Sequence, residues 1–566
     1  GPSLLAQPQN TQRFHWWHFG DGWTLNFNTT PPSHDQSSSI NQFEGCATVS
    51  DGAGRLLFYT DGMTVWQSNG QPMTNGQGLL GDDGSTMSAI ITPVIGNREQ
   101  YYIFTVDGST TLPNNGPNGR FDGLHYSVVD MSLNGGRGQV IQKNIPLVDS
   151  TTEKVIALKG ANEREYWVVT QLFDKSRYHA YKVDCSGINT TPVISNSGLP
   201  VSGTISYGYM KPSHDGNMIA SIVTDTSFFG INERVELLDF DRNTGLLSNP
   251  RPVTGVGAAF YGLEFSPNDS VLYVGYITNQ EILSFDLLAA NIPGTRQIVH
   301  SYGFLGADIG ALQLGPDSVI YIKKFNTLDA VENPDDRNNP QFSTGVVNLQ
   351  NASLFNPTLG LPAWFDIWPA PLTAPETTIC KGYSAPIGLT PLPGFTYTWS
   401  PTNSLSNPNI ANPIASPTTT TTYTLLATYA GCTDTASVTV TVLGDTTFIS
   451  SSLGHFDWCP NRPNTLRLNG AIPVQWIKDD TVLTGENGIT TLVTGPGTYQ
   501  AAVTDSCGNP DTLSVTVAPN PPDAFIAPDD TLIICQGDLQ PLCAQGGQVI
   551  QWLRDGQPLP GINPVR

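Results

Sequence analysis

The chain is short of charge. Only 13% of its 566 residues are charged, and 26 basic against 48 acidic side chains leave a formal charge of -22. That negative charge repels phosphate backbones and anionic lipid headgroups alike, which sets nucleic acid aside as a partner. Long apolar runs are missing as well. No stretch approaches the roughly 18 residues of a membrane-spanning helix, so no transmembrane segment is expected. There is no HExxH, no GxSxG, no Walker loop and no clustered CxxC pair, and the eight histidines are scattered. The usual signatures of metalloprotease, serine hydrolase and nucleotide chemistry are thereby absent, and no catalytic or metal-ligating residue is assigned. Helical periodicity is missing too, since no useful window keeps an apolar stripe at 3.6-residue spacing.

Turn formers are plentiful, with 56 Gly and 44 Pro. That is the composition of turn-rich β structure, and the length allows about four domains. The stretch "FEGCATVSDGAGRLLFYTDGMTVW" from Phe43 writes strand, turn, strand, Asp61-Gly62 turn, strand. The unit returns in the stretches beginning at Ala89, Val155, Tyr207, Tyr261 and Ile309. Several are followed by a strand that closes on Asp before an Asn/Gly turn, as in "RVELLDFDRNTG" and "LHYSVVDMSLNGG". The turns fall about 45 to 65 residues apart, the period of four-stranded propeller blades. The reading is all-β: residues 10–372 form a seven-bladed β-propeller, with six blades as the alternative. "RFHWWHFGDGWTLNF" from Arg13 and "GLPAWFDIW" from Gly360 supply the closure between the two ends. Residues 1–9 read as an export-signal remnant or a tag.

Aligning the six turns places Glu44, Ser88, Glu153, Tyr207, Tyr261 and Asp308 at equivalent points, where innermost strands enter the central channel. Carboxylates and tyrosines on one ring could bind a sugar or a cation at the channel mouth. The competing reading is that they hydrogen-bond neighbouring blades and close the channel. No cofactor is called for, with structural calcium as the alternative. His15 and His18 flank Trp16-Trp17, but i and i+3 on a strand face opposite ways, so both read as structural. Cys46 reads as a buried free thiol.

Six of the eight cysteines follow residue 379. Trp399, Trp476 and Trp552 recur at intervals of 77 and 76 residues, each 17 to 19 residues after a cysteine. Cys to Trp to Cys over such a length reads as tandem immunoglobulin-like sandwiches with the Trp in the core: residues 373–445, 446–521 and a truncated 522–566. Cys380–Cys432 and Cys459–Cys507 are the expected disulfides, each bracketing one module. Cys535 and Cys543 are left to each other or to partners beyond Arg566. Paired cysteines in small β modules indicate an oxidising, extracytoplasmic compartment.

"FEGCATVSDGAGRLLFYTDGMTVW", "YYIFTVD", "LHYSVVDMSLNGGRGQV" and "YWVVTQ", followed by "NPIASPTTTTTYTL" and "GCTDTASVTVTV", resemble the large surface proteins of Bacteroidota. Those proteins pair an N-terminal propeller with immunoglobulin-like or PKD-like repeats and belong to type IX secretion and gliding motility. The resemblance implies a secreted, cell-surface, adhesin-type protein exported across the outer membrane, not an enzyme. Its partners would be an extracellular glycan or protein. The alternatives are a structural subunit that self-associates in a surface appendage and a glycan-active propeller enzyme. Asp-Ser/Thr followed by Ala, Leu, Thr or Val at Ser150, Ser270, Ser318, Thr435, Thr446, Thr481, Thr512 and Thr531 resembles the O-glycosylation sequon of exported Bacteroidota proteins. Tight-turn chemistry is the competing account of the same dipeptides.

Overall fold

Asp-Gly turns organise the first part of the chain as their chemistry requires. Asp61 Oδ1 accepts from the amides of Met63 and Thr64 at 2.8 and 2.7 Å. Gly62, at φ +90°, takes the left-handed position, where a Cβ would overlap the Ser88 hydroxyl. The strand-closing aspartates work likewise. Asp130, Asp184, Asp241 and Asp286 each accept from the amide two residues on, at 2.8 to 2.9 Å.

The computed structural model describes residues 11–108, 122–162, 164–173, 176–198, 207–227, 230–255, 259–303, 309–349, 358–365, 375–392, 394–429, 431–443, 448–454, 456, 458, 463–469, 472–504, 507, 510–519, 525–527, 543–545, 553–555 and 557–558. It divides into two compact units, Gly1–Ala370 and Pro371–Arg566. Among the described residues there is no α-helix, only the 3-10 turns Thr11–Phe14 and Pro293–Thr295.

The first unit is a β-propeller made of consecutive antiparallel sheets. A three-stranded terminal sheet (Trp16–Phe19, Trp23–Asn26, Ser33–Asp35) precedes the first sheet (Cys46–Ser50, Leu56–Thr60, Thr64–Gln67, Pro72–Gln77). The second sheet begins at Ala89–Val94 and shares one parallel pairing with the edge of the first, Gln139 with Thr74. The third begins at Val155–Lys159, the fourth at Met210–Pro212, the fifth at Phe260–Phe265 and the sixth at Leu312–Leu314. Inner strands are buried throughout, as in Tyr166–Gln171, whereas an outer strand such as Gln139–Val148 is largely exposed. That gradient follows from sheets packed face to face, with only their outer edges in water.

Adjacent sheets are tied through their turns. Lys159 Nζ donates to the His214 carbonyl at 2.6 Å, the His214 amide to Asp269 at 2.8 Å, and the Asn268 amide to Asp335 at 3.0 Å. Closure comes from the C-terminal end of the unit. Pro362–Ala363 runs parallel to Cys46 and Ala47, the Leu359 amide donates to the Phe43 carbonyl, and the Ala311 amide donates to that of Leu359. Trp364 then packs on Phe14, 4.4 Å between ring centroids, so the two ends of the unit meet. Gly360 permits this, because a Cβ would overlap the Glu44 carbonyl.

In the second unit, Thr377–Cys380, Cys432–Leu443, Thr421–Tyr429 and Thr396–Ser400 form one sheet, and Ala385–Pro386 pairs with Ile414–Ala415. Trp399 is buried in their core and donates from Nε1 to the Ile410 carbonyl at 2.9 Å. The next module packs a three-stranded sheet on a four-stranded one around Trp476, whose Nε1 donates to Gly488 at 3.0 Å. Trp552 lies outside the described residues.

The disulfide expectation is overturned here. Cys380 bonds Cys507, with Cα atoms 5.8 Å apart, rather than Cys432. Thr377–Cys380 lies parallel to the far end of Cys432–Leu443, with Cys380 opposite Leu443. At roughly 3.3 Å per residue the length of that strand separates Cys380 from Cys432, beyond any disulfide span. Cys459–Cys507 fails with it, since Cys507 is taken; Cys459 and Cys535 lie outside the described residues. Cys185 and Cys432 each take part in a disulfide as well.

Candidate functional site

Four of the six predicted ring positions meet at the centre of the first unit. Glu44 precedes the first strand of the first sheet, Glu153 that of the third and Tyr207 that of the fourth, while Tyr261 lies in that of the fifth. Thr86, absent from the sequence prediction, joins them. Its Oγ1 lies 3.1 Å from Glu44 Oε2 and 2.7 Å from Glu153 Oε2, and receives the Gly208 amide at 3.1 Å. Glu153 Oε2 also accepts from the Thr86 amide at 3.0 Å. One hydroxyl carries one proton, so it cannot donate to two carboxylates. Protonation of Glu44 resolves the count: Glu44 donates to Thr86, and Thr86 donates to Glu153. Burial and the nearby Glu153 push the Glu44 carboxyl up to about 8, in agreement.

The Tyr261 hydroxyl faces Glu44, and burial drives its pKa upward. Tyr207 stands beside it, 6.4 Å between ring centroids. Two further charged groups enter from positions that a first-strand alignment cannot register. Glu233, on the long hairpin of the fourth sheet, accepts from the Phe260 amide at 2.6 Å. Buried Lys154 donates to the Ile222 carbonyl at 2.5 Å, and burial pulls its pKa down to about 8. Ser88 is turned away, donating to the Asp61 carbonyl at 2.5 Å, and Asp308 lies outside the described residues. The carboxylates are thus interior groups, Glu44 being 8% exposed, with Thr86 occupying the space between two of them.

A different place has the shape of a binding site. Between the terminal and first sheets lies a cavity of about 610 Å³, walled by Trp16, His18, Leu56 and Tyr59 and rimmed by exposed Asn28, Ser37, Arg55, Ser68 and Asn69. Four rings stack in series along it. Trp16 to His18 is 6.1 Å, His18 to Tyr59 is 4.1 Å at 10° between planes, and Tyr59 to Trp66 is 5.5 Å at 16°. Trp16 and His18 share a strand face because they are two residues apart. His15 instead bonds Asn28 at 2.9 Å, and His18 Nδ1 bonds Ser38 at 2.9 Å. His18 Nε2 has no protein partner although the residue is 5% exposed. Burial lowers its pKa to about 3, so the imidazole is neutral.

Cys46 is free and buried; Gln42 Nε2 lies 3.3 Å from its sulfur, and burial pushes the thiol up to about 12. Among the described residues no group of three or more His, Cys, Asp or Glu is placed to hold a metal ion. Of the sequon positions, Ser150, Ser318, Thr435, Thr481 and Thr512 are exposed. Ser270 is half-buried and donates to Asn268 at 2.6 Å, while Thr446 and Thr531 lie outside the described residues.

No protein-family model matches the chain, and no curated protein does. Similar solved structures include the periplasmic gluconolactonase of Pseudomonas aeruginosa, at 14% identity over 50% of this chain and 76% of that one, TM-score 0.32. The β-propeller domain of Swd1 from Myceliophteria thermophila matches at 12% identity over 55% and 93%, TM-score 0.34. A luciferin-regenerating enzyme matches at 12% over 60% and 91%, TM-score 0.29. Likenesses of this size transfer no activity, and the propeller assignment rests on the sheets themselves.

Proposed function

We propose that the chain is a secreted, cell-surface, adhesin-type protein of the Bacteroidota kind, in which a seven-bladed propeller head binds an extracellular glycan or protein and immunoglobulin-like modules provide reach. The three-stranded terminal sheet counts as the seventh blade, beside the six sheets that follow. The observation that carries the reading is the Cys380–Cys507 bond, which ties one module to the next. A covalent brace between successive modules suits an oxidising, extracytoplasmic setting and a spacer that holds its form. Binding is favoured over glycoside hydrolysis by the central cluster, where Thr86 fills the space that a sugar would need between Glu44 and Glu153.

The test compares the whole chain with residues 371–566 for retention on outer-surface material from bacterial cells and on immobilised glycans, with product release monitored in parallel. The reading expects retention by the whole chain, none by residues 371–566, and no product. Equal retention by the modules, or turnover, overturns it.

A further inference from the structure

The cavity between the terminal and first sheets has the size of a small-ligand site, which runs from roughly 300 to 1,000 Å³. Its charge balance narrows the ligand. Arg55 is the charged side chain on its rim, and that guanidinium is paired with Asp51 at 2.7 Å. The nearby Asp35 carboxylate accepts from Thr24 and Ser37, both at 2.5 Å. His18 is neutral, and the remaining rim groups are amides and hydroxyls. The rim thus carries no unpaired charge.

The walls then decide between neutral ligands. Trp16 is half-buried and offers an indole face at the end of the ring stack, and an aromatic face is electron-rich. It suits a ring whose C–H groups carry slight positive charge. The His18 ring lines the cavity, with its Nε2 enclosed. We propose that this cavity binds a neutral, hydroxyl-rich ring of a glycan, stacked on Trp16 and held at its edge by Ser68 and Asn69. The assignment rests on the head-binding reading and places its site on the side of the propeller, between two sheets, instead of at the channel mouth.

The whole chain is titrated with maltotetraose, cellotetraose, xylotetraose and chitotetraose, with sialyllactose as the anionic control. Tryptophan fluorescence and ligand-observed NMR follow binding. At least one neutral sugar is expected to bind saturably and to perturb tryptophan emission, while sialyllactose does not bind. Trp16→Ala should weaken that binding about tenfold or more. Ser68→Trp, which fills the mouth from an exposed position, should do the same with the unfolding temperature unchanged. Failure of every neutral sugar to bind, or binding untouched by both variants, overturns the assignment. Retention of both variants on cell-surface material would overturn the cavity while leaving the head reading intact. Sugar binding at the cavity together with equal retention by residues 371–566 would do the reverse.

Discussion

Cys380 and Cys507 are bonded across the boundary between two modules, the first at the end of a strand paired beside Leu443, the second between the strands Gly497–Thr504 and Pro510–Val517. Non-reducing peptide mapping is expected to recover these two cysteines in one linked fragment. With a sequence separation of 127, loop closure gives the bond about 5 kcal/mol by the chain-entropy relation. Cys507→Ser should therefore lower the unfolding temperature of the module unit and leave the propeller transition in place. A Cys380–Cys432 fragment would contradict the register described above.

Thr86 satisfies two carboxyls and one amide at once. Thr86→Val removes the hydroxyl and leaves Glu44, Glu153 and the Gly208 amide short of a partner in the interior. A loss of about 3 kcal/mol is expected in chemical denaturation of the propeller, with Thr86→Ser close to the parent. Equal stability of the three proteins would show that the cluster contributes nothing.

The Glu44 proton makes stability depend on pH in a definite direction. Its folded pKa, about 8, lies above the unfolded value of 4.5. Between those limits the folded chain holds a proton that the unfolded chain has released, so stability falls as pH rises. Glu44→Gln keeps a donor toward Thr86 and removes the titration. The difference between parent and variant should shift in the variant's favour from pH 4.5 to 8, by a few kcal/mol in order of magnitude. Lys154 acts at higher pH and in the opposite sense, since its folded pKa, about 8, lies below 10.5. A parent-minus-variant curve flat across the window would place the proton elsewhere.

Cys46 should be inert in the folded chain, because its thiol is buried and held near 12. Peptide mapping after thiol labelling is expected to find it unmodified in native buffer and fully modified in denaturant. Prompt native labelling would mean that the interface behind Gln42 opens.

The sequence made the repeat legible because local chemistry writes it: Asp61-Gly62 and the aspartates at 130, 184, 241 and 286 each bond amides within three residues. The central site was legible in part. Alignment on first strands finds Glu44, Glu153, Tyr207 and Tyr261, but Glu233 reaches the centre from a hairpin, and Thr86 matters through a shared proton that no spacing encodes. Ser88 has the right register and the wrong neighbour, the Asp61 carbonyl. The disulfide was missed because bracketing a tryptophan says nothing about strand direction, and the parallel pairing of Cys380 with Leu443 decides it. The stacked rings escaped notice because Trp16 and His18 lie on one sheet and Tyr59 and Trp66 on another; only the alternation Trp16-x-His18 hinted at a shared face.

Hydrogen–deuterium exchange on the whole chain, free and bound to outer-surface material from bacterial cells, tests the central claim most directly. The account predicts added protection within residues 11–365, centred on segments 13–28 and 51–70 that wall the cavity, and unchanged exchange across residues 375–519. Protection confined to residues 375–519 would contradict it.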